Sequence, residues 1–236
     1  MTIPQTVKPY WRQTWKPLVV EEDGTLTHSK FSGKPFLKKG ETWPFCPNCG
    51  KPMQLFVQLN LDTLPEPLYG EFGRGILQMF YCVNRQAECE IDCEAWSPFA
   101  QSHYLRIVEA ENGVIDYDLP IGIELFPPKL IVNWQERNDY PNWEELQGFG
   151  IHISDEDEKS LFDQGFPTIG DKLAGWPFWV QSIEYPNCPI CKERMRFVFQ
   201  IESEDNLPFM FGDCGCGHIT QCKIHKEQLA FRWACY

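Results

Sequence analysis

The chain has no run of the ~18 consecutive apolar residues that a membrane-spanning helix requires, so its sequence argues against a membrane protein. Its opening stretch, Met1 to Pro17, mixes polar residues, Pro and Trp without an apolar core, so no secretory signal is expected and a cytoplasmic location is. GxSxG, HExxH and P-loop motifs are missing, and the five histidines (His28, His103, His152, His218, His225) show no spacing that groups them. Nothing therefore marks a catalytic centre, and a non-enzyme is the expectation. Positive charge is also scarce: 21 Lys and Arg face 33 Asp and Glu, for a net −12. An acidic surface repels phosphate backbones, which weighs against nucleic-acid binding.

What the 236 residues do hold is a large apolar and aromatic content, 43% and 14%, enough for a packed core without help from metal or disulfide. The charge is unevenly spread. Residues 1–60 carry eight Lys or Arg against four acids, whereas residues 107–158 carry thirteen acids against Lys129 and Arg137. Such a segment serves as a solvated face, and it would also steer a basic polypeptide partner. Eleven cysteines in a chain expected to stay in a reducing compartment read as thiols and metal ligands rather than disulfides.

The chain repeats itself once. KFSGKPFLKKGETWPFCPNCGKPMQLFVQL (Lys30 to Leu59) aligns without a gap on KLAGWPFWVQSIEYPNCPICKERMRFVFQI (Lys172 to Ile201), 142 positions later. Gly33 meets Gly175, Pro44 meets Pro186, Cys46 meets Cys188, Cys49 meets Cys191 and Gln58 meets Gln200. A strand-like run ending in Cys follows in each copy, Gly75 to Cys82 and Gly217 to Cys222, and another closes it, Tyr104 to Val108 and Leu229 to Cys235. The hairpin loop between these runs is long in the first copy (Val83 to His103) and short in the second (Lys223 to Gln228). Between the copies, Leu130 to Trp134 reads as a strand, and Trp143 to Gln147 and Asp155 to Gln164 as short helices. Ser154 is placed to cap the second, with acids in its first turn.

The expected fold is α+β: mainly antiparallel sheet with few short helices, internal duplication with pseudo-twofold symmetry, and two zinc knuckles. The expected divisions are an N-terminal segment 1–29, a first unit 30–110, an acidic connector 111–171 and a second unit 172–236. One core and two lobes both remain open.

Structural zinc takes four protein ligands, and a CxxC turn lets two thiolates converge on one ion. The first unit offers Cys46, Cys49 and Cys82, with Cys89 favoured over Cys93 as the fourth ligand because it lies nearer the strand end. The second offers Cys188, Cys191, Cys222 and His225. Redox chemistry would want the CxxC at a helix start in a βαβ setting, which is not the pattern here. Four protein ligands leave no open position, so two structural zinc ions are expected. Lys51, Lys192, Arg194 and Lys226 stand near enough in sequence to offset the thiolate charge. Cys214 and Cys216 sit among glycines; Asp213, Cys214, Cys216 and His218 form the one polar turn that an enzyme or RNA-processing factor could use. A tight turn with ordinary thiols explains it more simply, and Cys235 has no assigned role. Trp43, Phe45 and Trp176 could act as stacking platforms for RNA, although core packing accounts for them.

The block from Gly33 to Asn60, Leu77 to Cys82 and the closing Phe211 to Tyr236 resemble bacterial YwqG-like proteins, a family of unknown function, over nearly the whole chain from Ser29. Members without the knuckles make zinc a feature of this branch rather than of the fold. A more distant likeness, through the CxxC-x2-PM pattern and a later FxxC, is to eukaryotic programmed cell death protein 2 and its yeast relative. That likeness implies a chaperone-like, protein-binding role in ribosome biogenesis.

Overall fold

The computed structural model describes residues 3–111, 113 and 117–236; Met1 and Thr2 of the N-terminal segment and Asn112 and Val114 to Asp116 of the acidic connector lie outside them. Among the described residues the strands are β1 Arg12–Val20, β2 Lys30–Phe31, β3 Gln54–Asn60, β4 Ile76–Tyr81, β5 His103–Val108, β6 Lys129–Asp139, β7 Lys172–Leu173, β8 Arg196–Glu202, β9 Cys216–Gln221 and β10 Leu229–Ala234. Three short helices accompany them: α1 Cys89–Asp92, α2 Trp143–Gly148 and α3 Asp155–Asp163. Both expected connector helices form, and Ser154 caps α3 by accepting the Asp157 amide at 3.2 Å. No described helix is long and apolar enough to cross a membrane.

All ten strands join one sheet, in the order β10-β9-β8-β7-β1-β6-β2-β3-β4-β5, antiparallel at every pairing. The central pair is crossed over. β1, which precedes the first unit, pairs with β7 of the second, and β6, which precedes the second, pairs with β2 of the first. Neither unit is complete without a strand that adjoins the other in space. The sheet curls until its edges face one another, making a nearly closed barrel: the His103 ring lies 5.5 Å from Phe231, and Trp233 Nε1 donates to the Tyr81 hydroxyl at 3.0 Å.

The two units match in detail. Lys30 and Phe31 pair with Gln58 and Val57, as Lys172 and Leu173 pair with Gln200 and Phe199. A bulge falls between Leu55 and Val57 in β3 and between Phe197 and Phe199 in β8. Gln58 accepts the Phe36 amide and donates to Leu26 and His28 carbonyls; Gln200 accepts the Phe178 amide and donates to Thr168 and Gly170 carbonyls.

A buried lysine latches each unit to the segment before it. Lys30 Nζ meets Asp23 Oδ1 at 2.6 Å, and Lys172 Nζ meets Asp139 Oδ2 at 2.9 Å. The same aspartates accept the amides of Lys34 and Trp176. Gly33 and Gly175 turn the chain here at φ +78° and +84°, and a Cβ would come 2.2 Å from Asp23 Oδ1 or 2.7 Å from Asp139 Oδ2. Only glycine gives both the left-handed turn and the room.

One core runs through both units, which settles the question of one core or two lobes. Phe56 lies 4.9 Å from Phe209 and Tyr81 lies 6.1 Å from Phe231, ring centre to ring centre. Each such ring removed from water contributes on the order of 2 kcal/mol. Two small satellite clusters, Cys46, Met53, Leu55 and Phe80 in one unit and Cys188, Met195 and Ala230 in the other, surround the cysteine groups.

The N-terminal segment supplies β1 at the middle of the sheet. Pro17 conceals this strand in the sequence, since proline cannot donate to a ladder. It is tolerated because β7 is two residues long and pairs with β1 only at Trp15. β6 also extends well beyond the expected Trp134, to Asp139.

Candidate metal centres

Each knuckle is built by local hydrogen bonds. The Cys46 amide donates to Lys51 O and the Cys188 amide to Glu193 O, both at 2.8 Å, folding the CxxC so that its thiols point the same way. β3 and β8 leave from the knuckles, and β4 and β9 return antiparallel beside them. Cys82 and Cys222 directly follow the ends of the returning strands, which brings a third thiol to each pair.

Cys46, Cys49, Cys82 and Cys89 converge in the first unit, and Cys188, Cys191, Cys222 and His225 in the second; within each group the donor atoms all lie within 4.8 Å of one another. Cys46 and Cys89 Sγ are 3.8 Å apart, and Cys49 and Cys82 Sγ 3.7 Å. Cys191 and Cys222 Sγ are 3.6 Å apart, and His225 Nδ1 is 3.7 Å from both Cys188 and Cys222 Sγ. A disulfide needs about 2.05 Å. A tetrahedron of thiolates at about 2.3 Å from a metal has edges of about 3.8 Å. The separations fit the tetrahedron, so both groups could hold metal ions.

The electrostatics point the same way. Burial opposes ionisation of Cys49, but hydrogen bonds from Asn84 and the Lys51 amide outweigh it and draw the thiol down to about 7. Burial likewise opposes ionisation of Cys222, and the amides of His225 and Ile224 draw it down to about 6. In the first group the neighbours of Cys49 move the other way: burial pushes Cys89 up to about 11 and Cys82 higher still. Converging thiols cannot all ionise unaided, because each new negative charge repels the next. A dication removes that obstacle and releases the protons.

The fourth ligands arrive by different routes. His225 follows Cys222 in a tight turn, its amide donating to Cys222 Sγ at 3.3 Å. Cys89 is delivered by α1, inside what reads in the sequence as a plain loop. Asn48 Nδ2 donates to its sulfur at 3.4 Å. Cys93 stands at the far end of α1, half-buried and outside the group, its amide bonded to Cys89 O. Of the expected counter-charges, Lys226 feels the Cys222 thiolate, as does Arg196, which the sequence does not single out. Arg194 instead pairs with Glu145, and Lys192 Nζ donates to Pro189 O.

Burial divides the Asp213, Cys214, Cys216 and His218 turn. Cys214 is exposed, while Cys216 and His218 are buried in β9. Cys216 Sγ lies 3.7 Å from His218 Nε2, but that nitrogen is bonded to Phe178 O at 3.0 Å. Burial raises the Cys216 thiol well above its usual range and lowers His218 to about 3. Thiol and imidazole both stay neutral, the opposite of an activated pair. Of the aromatics, Trp43 and Trp176 are buried and Phe45 is exposed.

A 39-residue segment is 46% identical to the uncharacterized protein YpfL of Salmonella typhimurium (strain LT2), covering 16% of this chain and 9% of that protein's length. The family profile described as "Domain of unknown function (DUF1963)" matches residues 29–233, spanning both repeat units, both cysteine groups and the central strand β6. With most of its length so matched, the chain belongs to the DUF1963 family.

Proposed function

We propose that the protein is an intracellular, non-enzymatic binding module that holds a polypeptide partner on a barrel fastened by two structural zinc ions. The observation that carries this reading is the 3.6–3.8 Å spacing of the thiol sulfurs, matched in two groups of four donors that leave no coordination position open. Tetrahedral, thiolate-rich sets select zinc among the common divalent metals. The acid-rich stretch 107–158 favours a basic partner, and the likeness to programmed cell death protein 2 supports a chaperone-like role. The two units are read as copies of one ancestral segment, a view supported by their common 142-residue offset and paired registers.

Metal analysis of freshly purified protein tests the proposal. Two equivalents of zinc are expected, falling to one in Cys49→Ser and to one in Cys222→Ser; an unchanged count in both variants refutes it. Affinity capture from the native organism at low salt should then recover a basic protein in stoichiometric amount, and recovery of nothing specific contradicts the partner reading.

A further inference from the structure

One cleft runs against the charge of the rest of the molecule. It lies between β1, the start of β8, the loop through Glu71 and Phe72, and the turn after Cys222, and encloses about 960 Å³. That is the upper end of the range for ligand pockets. In a chain of net charge −12, its walls carry Arg12, Arg194, Arg196 and Lys223 against Glu71 and Glu193.

The guanidiniums are oriented rather than loose. Arg12 Cζ sits 3.3 Å from the centre of the Trp176 ring, and Arg194 Cζ 3.7 Å from that of Tyr185. Arg196 is already engaged by Glu71. Arg12 has no carboxylate within ion-pair distance among the described residues; it makes one long donation, 3.4 Å, to Gly175 O. Arg194 makes one long contact, 3.5 Å, to Glu145 Oε2, while Trp179 Nε1 at 3.0 Å and the Tyr185 hydroxyl at 2.6 Å donate to the other carboxylate oxygen, Oε1. Two stacked planar forks therefore point donors into the cleft with most of their capacity unused, the arrangement suited to carboxylates. Around them the cleft exposes Trp11, Phe149 and Ile224, at 51%, 50% and 68% of their surface. A bare anion would satisfy the arginines and leave these side chains wet. An extended chain bearing both acids and apolar residues uses both features.

We infer that this cleft binds an extended acidic polypeptide segment, its carboxylates on Arg12 and Arg194 and its apolar side chains on Trp11 and Phe149. The inference rests on the reading of the protein as a binding module and adds a second surface of opposite preference to the acidic connector.

Fluorescence anisotropy on the full, zinc-loaded chain tests it, using a dye-labelled peptide that alternates Glu with Phe and Leu. The Glu peptide should bind, and the same peptide with Lys in place of Glu should bind at least about tenfold more weakly. Arg12→Gln and Arg194→Gln should each weaken binding about tenfold, the effect of one charge-assisted hydrogen bond, with zinc content unchanged. Trp11→Ala should weaken it too, and inorganic phosphate should not displace the peptide. Absence of binding by zinc-loaded protein, equal binding of the Lys peptide, or indifference to both arginine variants overturns the inference. Displacement by phosphate does so as well, by assigning the cleft to small anions. Zinc content and capture of a basic partner are read separately in the same variants, so failure of the cleft and failure of the binding-module reading give different results.

Discussion

The two halves share one backbone plan and differ in how completely water is kept out of it. Both hold a buried lysine at the first position of the repeat, but Asp23, the partner of Lys30, has a side chain 35% exposed, while Lys172 and Asp139 are both at 0%. Both place a polar residue at the middle of the returning strand to bond a carbonyl three residues beyond the glycine that opens the Gly-x-Pro turn. In the first half Gln78 donates to Phe36 O, and in the second His218 bonds Phe178 O. Both end in four metal-type donors, but one set is all thiol and the other has an imidazole. Four thiolates about a dication leave −2, and three with a neutral imidazole leave −1. A shared hydrogen-bond framework thus tolerates different chemistry at the positions it serves, so long as each polar group keeps a partner.

The sharpest break in the comparison should come from the latches. Lys172→Met leaves Asp139 buried without its cation and should cost about 3–5 kcal/mol, whereas Lys30→Met should cost clearly less, because water reaches Asp23. Urea unfolding of the two variants measures the gap, and equal losses would remove the distinction.

The next effect is in pH. His218 is held down to about 3 and His103 to about 4, in both cases chiefly by burial, against an ordinary 6.5. Folded protein therefore binds fewer protons than unfolded protein between those values. Stability is full above about 6.5 and is lost as the pH falls. At pH 5 the His218 contribution is about 2 kcal/mol. His218→Gln copies the residue of the first half and should shrink the stability difference between pH 7 and pH 5 by about that amount. An unaltered pH dependence in unfolding titrations would show that the imidazole is already protonated in the fold.

The smallest effect separates two cysteines four residues apart. Cys93→Ser should leave zinc at two equivalents and change stability by no more than about 0.5 kcal/mol, whereas Cys89→Ser should remove one equivalent. Metal analysis decides between them, and loss of zinc from the Cys93 variant would reassign the fourth ligand.

Much of this was legible along the chain because it is local. The knuckles are three-residue spacings, strands β3, β4, β8, β9 and β10 follow apolar patterning between turns, and Ser154 announces α3. The features that were hidden depend on distant partners or on exceptions to local rules. Pro17 hid β1, and the first hairpin loop, Val83 to His103, gave no helical period long enough to reveal α1. Asp139 reads as one more acid in an acid-rich run until β6 carries it to Lys172. Arg12 and Arg194 are unremarkable 182 positions apart in sequence, and only the pairing of β1 beside β7 brings them to one cleft.

By itself the sequence determined the CxxC thiol pairs and the strands that carry them, because each is written in residues close enough to interact before the chain has folded. The tertiary structure decided that the two units share one core, that Cys89 rather than Cys93 joins the first cysteine group, and which charges are buried or left facing a cleft. Those outcomes depend on the crossed central strands, which give each half its neighbour from the other, and no local pattern records such an exchange.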